Sequence, residues 1–351
     1  MTETDNNKDT NAPHAGEALR DVGERGFLKR MRRVMGRPDA ALTGGLDDDA
    51  AMIRSGKRRH LLLTNDMLVE DTHFTLATTP PEALGYKIVA VNVSDIAAMA
   101  GRPGLMTVGL GAPPSMPMAD LEALYQGIRQ ACRLFGVTLA GGDTVRAERL
   151  TLSVTLTGEY RGRKSRAPLR SRMKPGDWIY ATGTLGDSAA GLMLLLEAEQ
   201  GRELDEGDRE FLIQRHQRPT PRVKEALALH AALGRMAMMD LSDDLLSSLR
   251  MLAELSGAGF EAELDDLPLS EPLLRFTENI GRQASDLALL GGEDFELLFA
   301  CPAEPERVRE ILHQAKIKTL VTPIGRATKS GEKFLRQGRE IAVKSNSFSH
   351  F

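Results

Sequence analysis

Cysteine and long apolar runs are what these 351 residues most lack. The two cysteines, Cys132 and Cys301, stand far apart with no metal-ligand spacing, so they read as reduced thiols of a cytoplasmic protein. No apolar stretch approaches the ~20 residues needed to cross a bilayer, and the polar N-terminus has no hydrophobic segment of the secretory kind. A net charge of −4 leaves no basic footprint for a nucleic acid. Nucleotide signatures are missing too. No glycine-rich stretch ends in Gly-Lys-Ser or Gly-Lys-Thr, and neither the protein-kinase set nor the paired-histidine helix of zinc proteases occurs.

What remains is an ordinary globular composition, 42% hydrophobic and 27% charged, in a chain long enough for two domains of ~150 residues. The fold class read from it is α+β, a mixed α/β protein. Residues 1–24 read as a polar tail, with a short helix over 27–35. An apolar run predicts a strand over 60–66, a helix follows over 81–100, and a strand over 105–111. Leu121, Leu124, Ile128 and Cys132 recur at helical spacing and predict an amphipathic helix over 118–135. Strands are expected at 137–140 and 150–160. A cluster of arginines and lysines over 161–174, then Pro175-Gly176-Asp177, marks a boundary near 165. It separates an N-terminal domain (25–165) from a C-terminal α/β domain (166–351). The latter is read as a strand at 178–182, helices near 187–200, 219–233 and 243–257, strands near 259–264 and 295–301, and a strand pair within 319–342.

Acidic residues next to glycines or at expected strand ends are the chemical signal: Asp47-Asp48-Asp49, Asp66, Asp95, Asp143, Asp240 with Asp243, and Glu293-Asp294. Each alone is the common residue of a turn or helix cap. If strand ends bring them into one crevice, each close pair repels by about 4 kcal/mol at an effective dielectric of 20. Only cations make such a crevice stable, and oxygen donors without His or Cys select magnesium, which prefers carboxylates together with substrate phosphates. Gly183 to Ser188 opens a helix, and its N–H groups read equally as a phosphate cradle or as a plain helix entry.

From about residue 25 to Phe351 the chain resembles the thiamine-monophosphate kinase family, of the superfamily that includes aminoimidazole ribonucleotide synthetase and selenophosphate synthetase. The resemblance rests on motifs in family order. They are Asp48-Asp49-Ala50, Asp66 with His73-Phe74, Asn92-Val93-Ser94-Asp95, Gly141-Gly142-Asp143-Thr144, Lys174-Pro175-Gly176-Asp177, Gly186-Asp187-Ser188, Asp240-Leu241-Ser242-Asp243, Gly291-Gly292-Glu293-Asp294 and the terminal Phe348-Ser349-His350-Phe351. It implies direct transfer of the ATP γ-phosphoryl group to thiamine monophosphate, with no covalent nucleophile. It further implies several magnesium ions held by Asp48, Thr64, Asn65, Asp66, Asp95, Asp143, Asp240 and Asp243. Gly142, Asp143, Arg170 and Ser242 would contact ATP, and His73, Glu293 and Phe348 would line the acceptor pocket. A homodimer is implied as well, in which the N-terminal sheets of two chains close a barrel.

The sequence departs from that family at a few positions. Asp47, Asp71 and Asp244 stand where glycine is usual, Asn65 where threonine is, and Ser248 where aspartate is frequent; Ala100-Gly101 reverses the usual order. Two other readings follow. One is another ATP-dependent synthetase of the superfamily, although no Cys precedes Cys132 where selenophosphate synthetases carry a reactive one. The other is a non-catalytic nucleotide-binding regulatory protein, motivated by the replaced glycines.

Overall fold

The computed structural model describes residues 18–36, 40–45, 47–163 and 166–343. Helix α1 (Leu19–Met35) belongs to a compact unit of its own. The helix expected over 27–35 therefore starts earlier, inside the segment read as tail, with non-helical Gly23 interrupting it. All other elements belong to the second unit, 41–346.

The N-terminal half builds a six-stranded sheet from β1 (Leu42–Gly44), β2 (Ala51–Arg54), β3 (Arg59–Val69), β4 (Arg102–Ala112), β5 (Thr138–Arg146) and β6 (Thr151–Arg161), in the order β1-β2-β3-β6-β4-β5. Alternation decides its faces. Leu62, Thr64 and Leu68 of β3 and Leu152, Val154 and Leu156 of β6 are buried, while their sequence neighbours point the other way. Helices α2 (Pro81–Ala98) and α3 (Met118–Phe135) pack with this face in one hydrophobic core. Gly85 and Gly127 let these two helices touch: a Cβ at Gly85 would lie 1.9 Å from the Leu124 carbonyl oxygen, and one at Gly127 1.9 Å from that of Glu82. Helix α2 is buried on nearly all sides, and its one lysine, Lys87, is buried with it. Strand β5 forms the sheet edge and all nine of its residues are exposed.

The C-terminal half contains β7 (Trp178–Thr182), α4 (Asp187–Leu196), α5 (Glu206–Gln217), α6 (Val223–Leu233), β8 (Ala237–Asp240), α7 (Leu245–Ser256) and β9 (Gly259–Glu263). After them come α8 (Glu271–Asn279), α9 (Ala284–Leu290), β10 (Leu297–Cys301), α10 (Pro305–Gln314), β11 (Val321–Thr328), β12 (Glu332–Arg336) and β13 (Arg339–Ile341). Its seven strands run β13-β12-β9-β11-β7-β10-β8. The chain is thus a mixed α/β protein with two sheets. Three strands, not a pair, occupy 319–342, and α5, β8, α8, α9 and α10 add to the elements read from sequence. Among the described residues no helix is long and apolar enough to cross a membrane.

Candidate metal and substrate site

The acidic residues do not all stand at strand ends, as their glycine neighbours suggested. Asp66 lies within β3, Asp95 near the end of α2, Asp240 at the end of β8, and Asp49 in the loop before β2. These elements meet where the two halves pack together. One carboxylate oxygen from each of Asp49, Asp95 and Asp240 lies within 4.8 Å of the others. Asp66 joins them through its effect on Asp95, and the Thr64 hydroxyl donates to Asp95 Oδ2.

The sequence motif pointed to Asp48, whereas its neighbour Asp49 is the residue brought beside Asp95 and Asp240. Both Asp48 oxygens are taken by main-chain donors, Gly45 N at 3.1 Å and Arg170 N at 2.8 Å. That tight loop requires glycine at 45, where φ is 105° and a Cβ would sit 2.3 Å from the Ala50 carbonyl oxygen. Asp48 therefore shapes the loop that delivers Asp49. Arg170 then grips Asp49, donating through Nη2 to Oδ1 (2.7 Å) and through Nε to Oδ2 (3.1 Å).

Electrostatics marks this cluster as incomplete with protein groups alone. Burial, then the charge of Asp49, push Asp66 up to about 6, against a hydrogen bond with Asp95. Burial raises Asp95 well above the carboxylate range, with Asp66, Asp240 and Asp49 adding to it. Asp240 is raised by burial and then by Asp49, which Ser94 and Arg170 only partly offset. Among the described residues no well-formed hydrogen bond reaches either Asp240 oxygen, although both are buried. A buried, unsatisfied carboxylate beside two others is costly unless a cation compensates it. The oxygen-only donor set fits a hard divalent ion such as magnesium.

Ser242 and Asp243 follow Asp240 in an exposed loop before α7. Glu293 N donates to the Ser242 carbonyl oxygen (2.8 Å), which ties the Gly291-Gly292-Glu293-Asp294 segment to that loop. His73 is close enough for its charge to help lower the Glu293 pKa, and its Nδ1 accepts from Val69 N (3.0 Å).

Asn65, Gly142 and Asp143 are not brought to this cluster. The Asn65 side chain lies on the opposite face of the sheet, donating to Ser153 Oγ, the Val154 carbonyl oxygen and Thr155 Oγ1. Cross-strand register runs Asp66, Val154, Val108, Gly142, so Asp143 also points to that opposite face. Three interstrand steps separate Asp66 from Gly142, roughly 14 Å at ~4.8 Å each. Phe348 lies outside the described residues. Nor is the entry to α4 an open phosphate cradle: the Asp294 carboxylate accepts from Gly186 N (2.7 Å) and Ser188 N (3.1 Å).

Two family models cover these halves: AIR synthase related protein, N-terminal domain, over residues 47–160, and its C-terminal domain over 174–337. A thiamine-monophosphate kinase of Haemophilus influenzae is 37% identical over 94% of this chain and 98% of its own length. One of Bacillus subtilis is 37% identical over 88% and 93%. The chain belongs to the thiamine-monophosphate kinase family. Among solved structures, AaThiL complexed with AMPPCP and TMP superposes with a TM-score of 0.80 at 33% identity, covering 95% of this chain and 99% of that one.

At the positions where the resemblance implies glycine, the residues present leave the Asp49–Asp95–Asp240 cluster in place. Asp244 adopts φ −71° and caps α7, accepting from Ser247 N (2.6 Å). Asp71 and Ala100 do occupy left-handed backbone, at φ 64° and 49°, a conformation in which glycine is the easier residue. Sequence reasoning did not single out Asp49, which the fold brings beside Asp95 and Asp240, nor Lys87 and His216 beside Glu293. The signal for Lys87 was available as the lone cation in a helix that is buried along nearly all its length.

Proposed function

We propose that the chain transfers the γ-phosphoryl group of ATP to thiamine monophosphate and releases thiamine diphosphate. The observation that carries this reading is the buried Asp49–Asp95–Asp240 cluster with its unsatisfied Asp240 oxygens, in a chain so closely similar to thiamine-monophosphate kinases. The superposition on a relative holding AMPPCP and TMP supports both substrates.

Asp49, Asp66, Asp95 and Asp240, with Thr64 oriented through Asp95, would hold magnesium, and Asp243 would extend the set toward the polyphosphate. Bound magnesium supplies neutralisation of phosphate charge, which lets two anionic substrates approach. Arg170, fixed on Asp49, and Ser242 would contact ATP. His73 and Glu293, placed beyond the Ser242 loop, would orient the acceptor for direct in-line attack by its phosphate oxygen, with no covalent enzyme intermediate. Positioning and charge stabilisation then account for most of the acceleration, as is usual in phosphoryl transfer.

The second half of the reading concerns assembly. β5 is a fully exposed edge strand, and Asn65 and Asp143 share the exposed sheet face with Met67, half exposed. Such an edge is a liability unless it pairs. A homodimer whose N-terminal sheets close a barrel would cover that face, and Gly142 and Asp143 would then complete the partner's ATP site. A Cβ at Gly142 would lie 2.0 Å from the Val108 carbonyl oxygen, so no other residue fits there. The domain boundary belongs between the sheets, near residue 165, and the compartment is the cytoplasm.

Purified protein incubated with ATP, magnesium and thiamine monophosphate should form thiamine diphosphate, followed by chromatography. ATP hydrolysis without that product, or no reaction at high enzyme concentration, would overturn the reading.

A further inference from the structure

A lysine ammonium in a protein interior is tolerated only with a matched anion. Lys87 is 2% exposed, and its Nζ donates to Glu293 Oε2 at 3.0 Å. The same oxygen lies 3.5 Å from His216 Nδ1, and Ser188 Oγ stands 3.1 Å from that ring nitrogen. His216 is 3% exposed and neutral at ordinary pH, because burial and then the Lys87 charge push it down to about 4. Lys87 is therefore the full cation facing Glu293 from inside, with His73 adding a weaker influence. The Glu293 side chain remains 31% exposed, and its backbone sits at φ 63° with N bonded to the Ser242 carbonyl oxygen. A glutamate in left-handed backbone persists only where its surroundings hold it.

The helix that supplies Lys87 also supplies Asp95, eight residues on. At 1.5 Å rise per residue that separation is about 12 Å along a single rigid rod.

Resting on the kinase reading above, we propose that Lys87 is a positioning residue for the acceptor. It clamps one oxygen of Glu293, keeps that side chain anionic, and sets its distance from the Asp95 end of α2. An anion fixed in this way repels a phosphate. It recognises instead the cationic, amine-bearing organic portion of the acceptor, which places the acceptor's phosphate toward the carboxylate cluster.

The test compares Lys87→Met, Lys87→Arg and Glu293→Gln with the active wild type. Lys87→Met should raise the KM for thiamine monophosphate, and its Kd measured by calorimetry without ATP, at least tenfold. The KM for ATP should stay within twofold. The fall of kcat/KM for the acceptor on the acid side should move to higher pH, because Glu293 has lost the cation that opposes its burial. In a Glu293→Gln background the same substitution should add less than threefold. Lys87→Arg, which keeps the charge on a different fork, covers the case in which Lys87→Met does not fold. It should raise the acceptor KM about threefold and leave the pH profile unmoved. Equal losses for ATP and acceptor, effects that multiply with Glu293→Gln, or wild-type acceptor constants in both Lys87→Arg and Glu293→Gln would overturn the proposal. A wild type that neither binds nor phosphorylates thiamine monophosphate would instead reject the kinase reading beneath it.

Discussion

Two groups among the buried acids of the described residues are neutralised in opposite ways. In the C-terminal half, Glu296 accepts from Thr182 Oγ1 (2.7 Å), Arg215 Nη2 (2.9 Å) and the Arg222 guanidinium. Nearby, Asp187 accepts from Ser270 and Thr184, and Asp294 from two main-chain N–H groups. Every acid there has its partners inside the fold. Between the two halves, Asp49, Asp95 and Asp240 crowd together with Arg170 on one member, while among the described residues no well-formed hydrogen bond reaches either Asp240 oxygen. Counting buried carboxylates does not tell structure from site. Whether the protein supplies their counter-charge does.

The largest effect should come from removing charge where the protein does not balance it. Asp240→Asn or Asp66→Asn should lower turnover by on the order of 10³. The melting temperature in chelator should stay level or rise, since a repulsive buried charge has gone. A clear drop in that temperature would erase the distinction between the two groups. The converse substitution, Arg222→Met, leaves Glu296 with one guanidinium fewer in a buried setting and should destabilise the fold by about 3 kcal/mol, read from urea denaturation. Little change would mean that the C-terminal network is not self-balanced.

Acidity sharpens the contrast. Asp66, raised by burial to about 6, binds a proton in the folded state at pH values where an unfolded aspartate, near 3.8, has released it. An acid with a raised folded pKa weakens stability as pH climbs from its unfolded toward its folded value. The metal-free protein should therefore lose melting temperature more steeply between pH 4 and 6 than Asp66→Asn does. Protons compete with the metal for the same oxygens, so the stabilisation produced by magnesium should grow from pH 5.5 to 7.5. The smallest effect belongs to a third kind of acid. Asp244 serves neither group but caps α7, and Asp244→Ala should cost about 1 kcal/mol of stability and leave turnover intact.

The long periodic elements were legible because one physical pattern dominates each. The amphipathic helix read over 118–135 is Met118–Phe135, and the alternating strand read over 150–160 is Thr151–Arg161. β8 escaped notice because Ala237-Met238-Met239-Asp240 is buried at every position and has no period to read. At the site, motif order located the acidic segments but not the side-chain directions. Asp48 and Asp49 are adjacent and chemically identical, and only the folding of Gly45 and Arg170 N–H groups onto the first assigns the cluster to the second. Asn65 and Asp143 fell on the far face because strand alternation acts after the strand limits are known. The helix entry at Gly186 is met by Asp294, a partner about a hundred residues away that no local motif announces.

The segment from Glu293 to Glu296 turns three acids in three directions within four residues: Glu293 to Lys87, Asp294 to the start of α4, and Glu296 to Arg215 and Arg222. Adding or deleting a single residue there would misalign all three connections together. This short stretch behaves as a keystone, and a length change in it should be far more damaging than any one of its point substitutions.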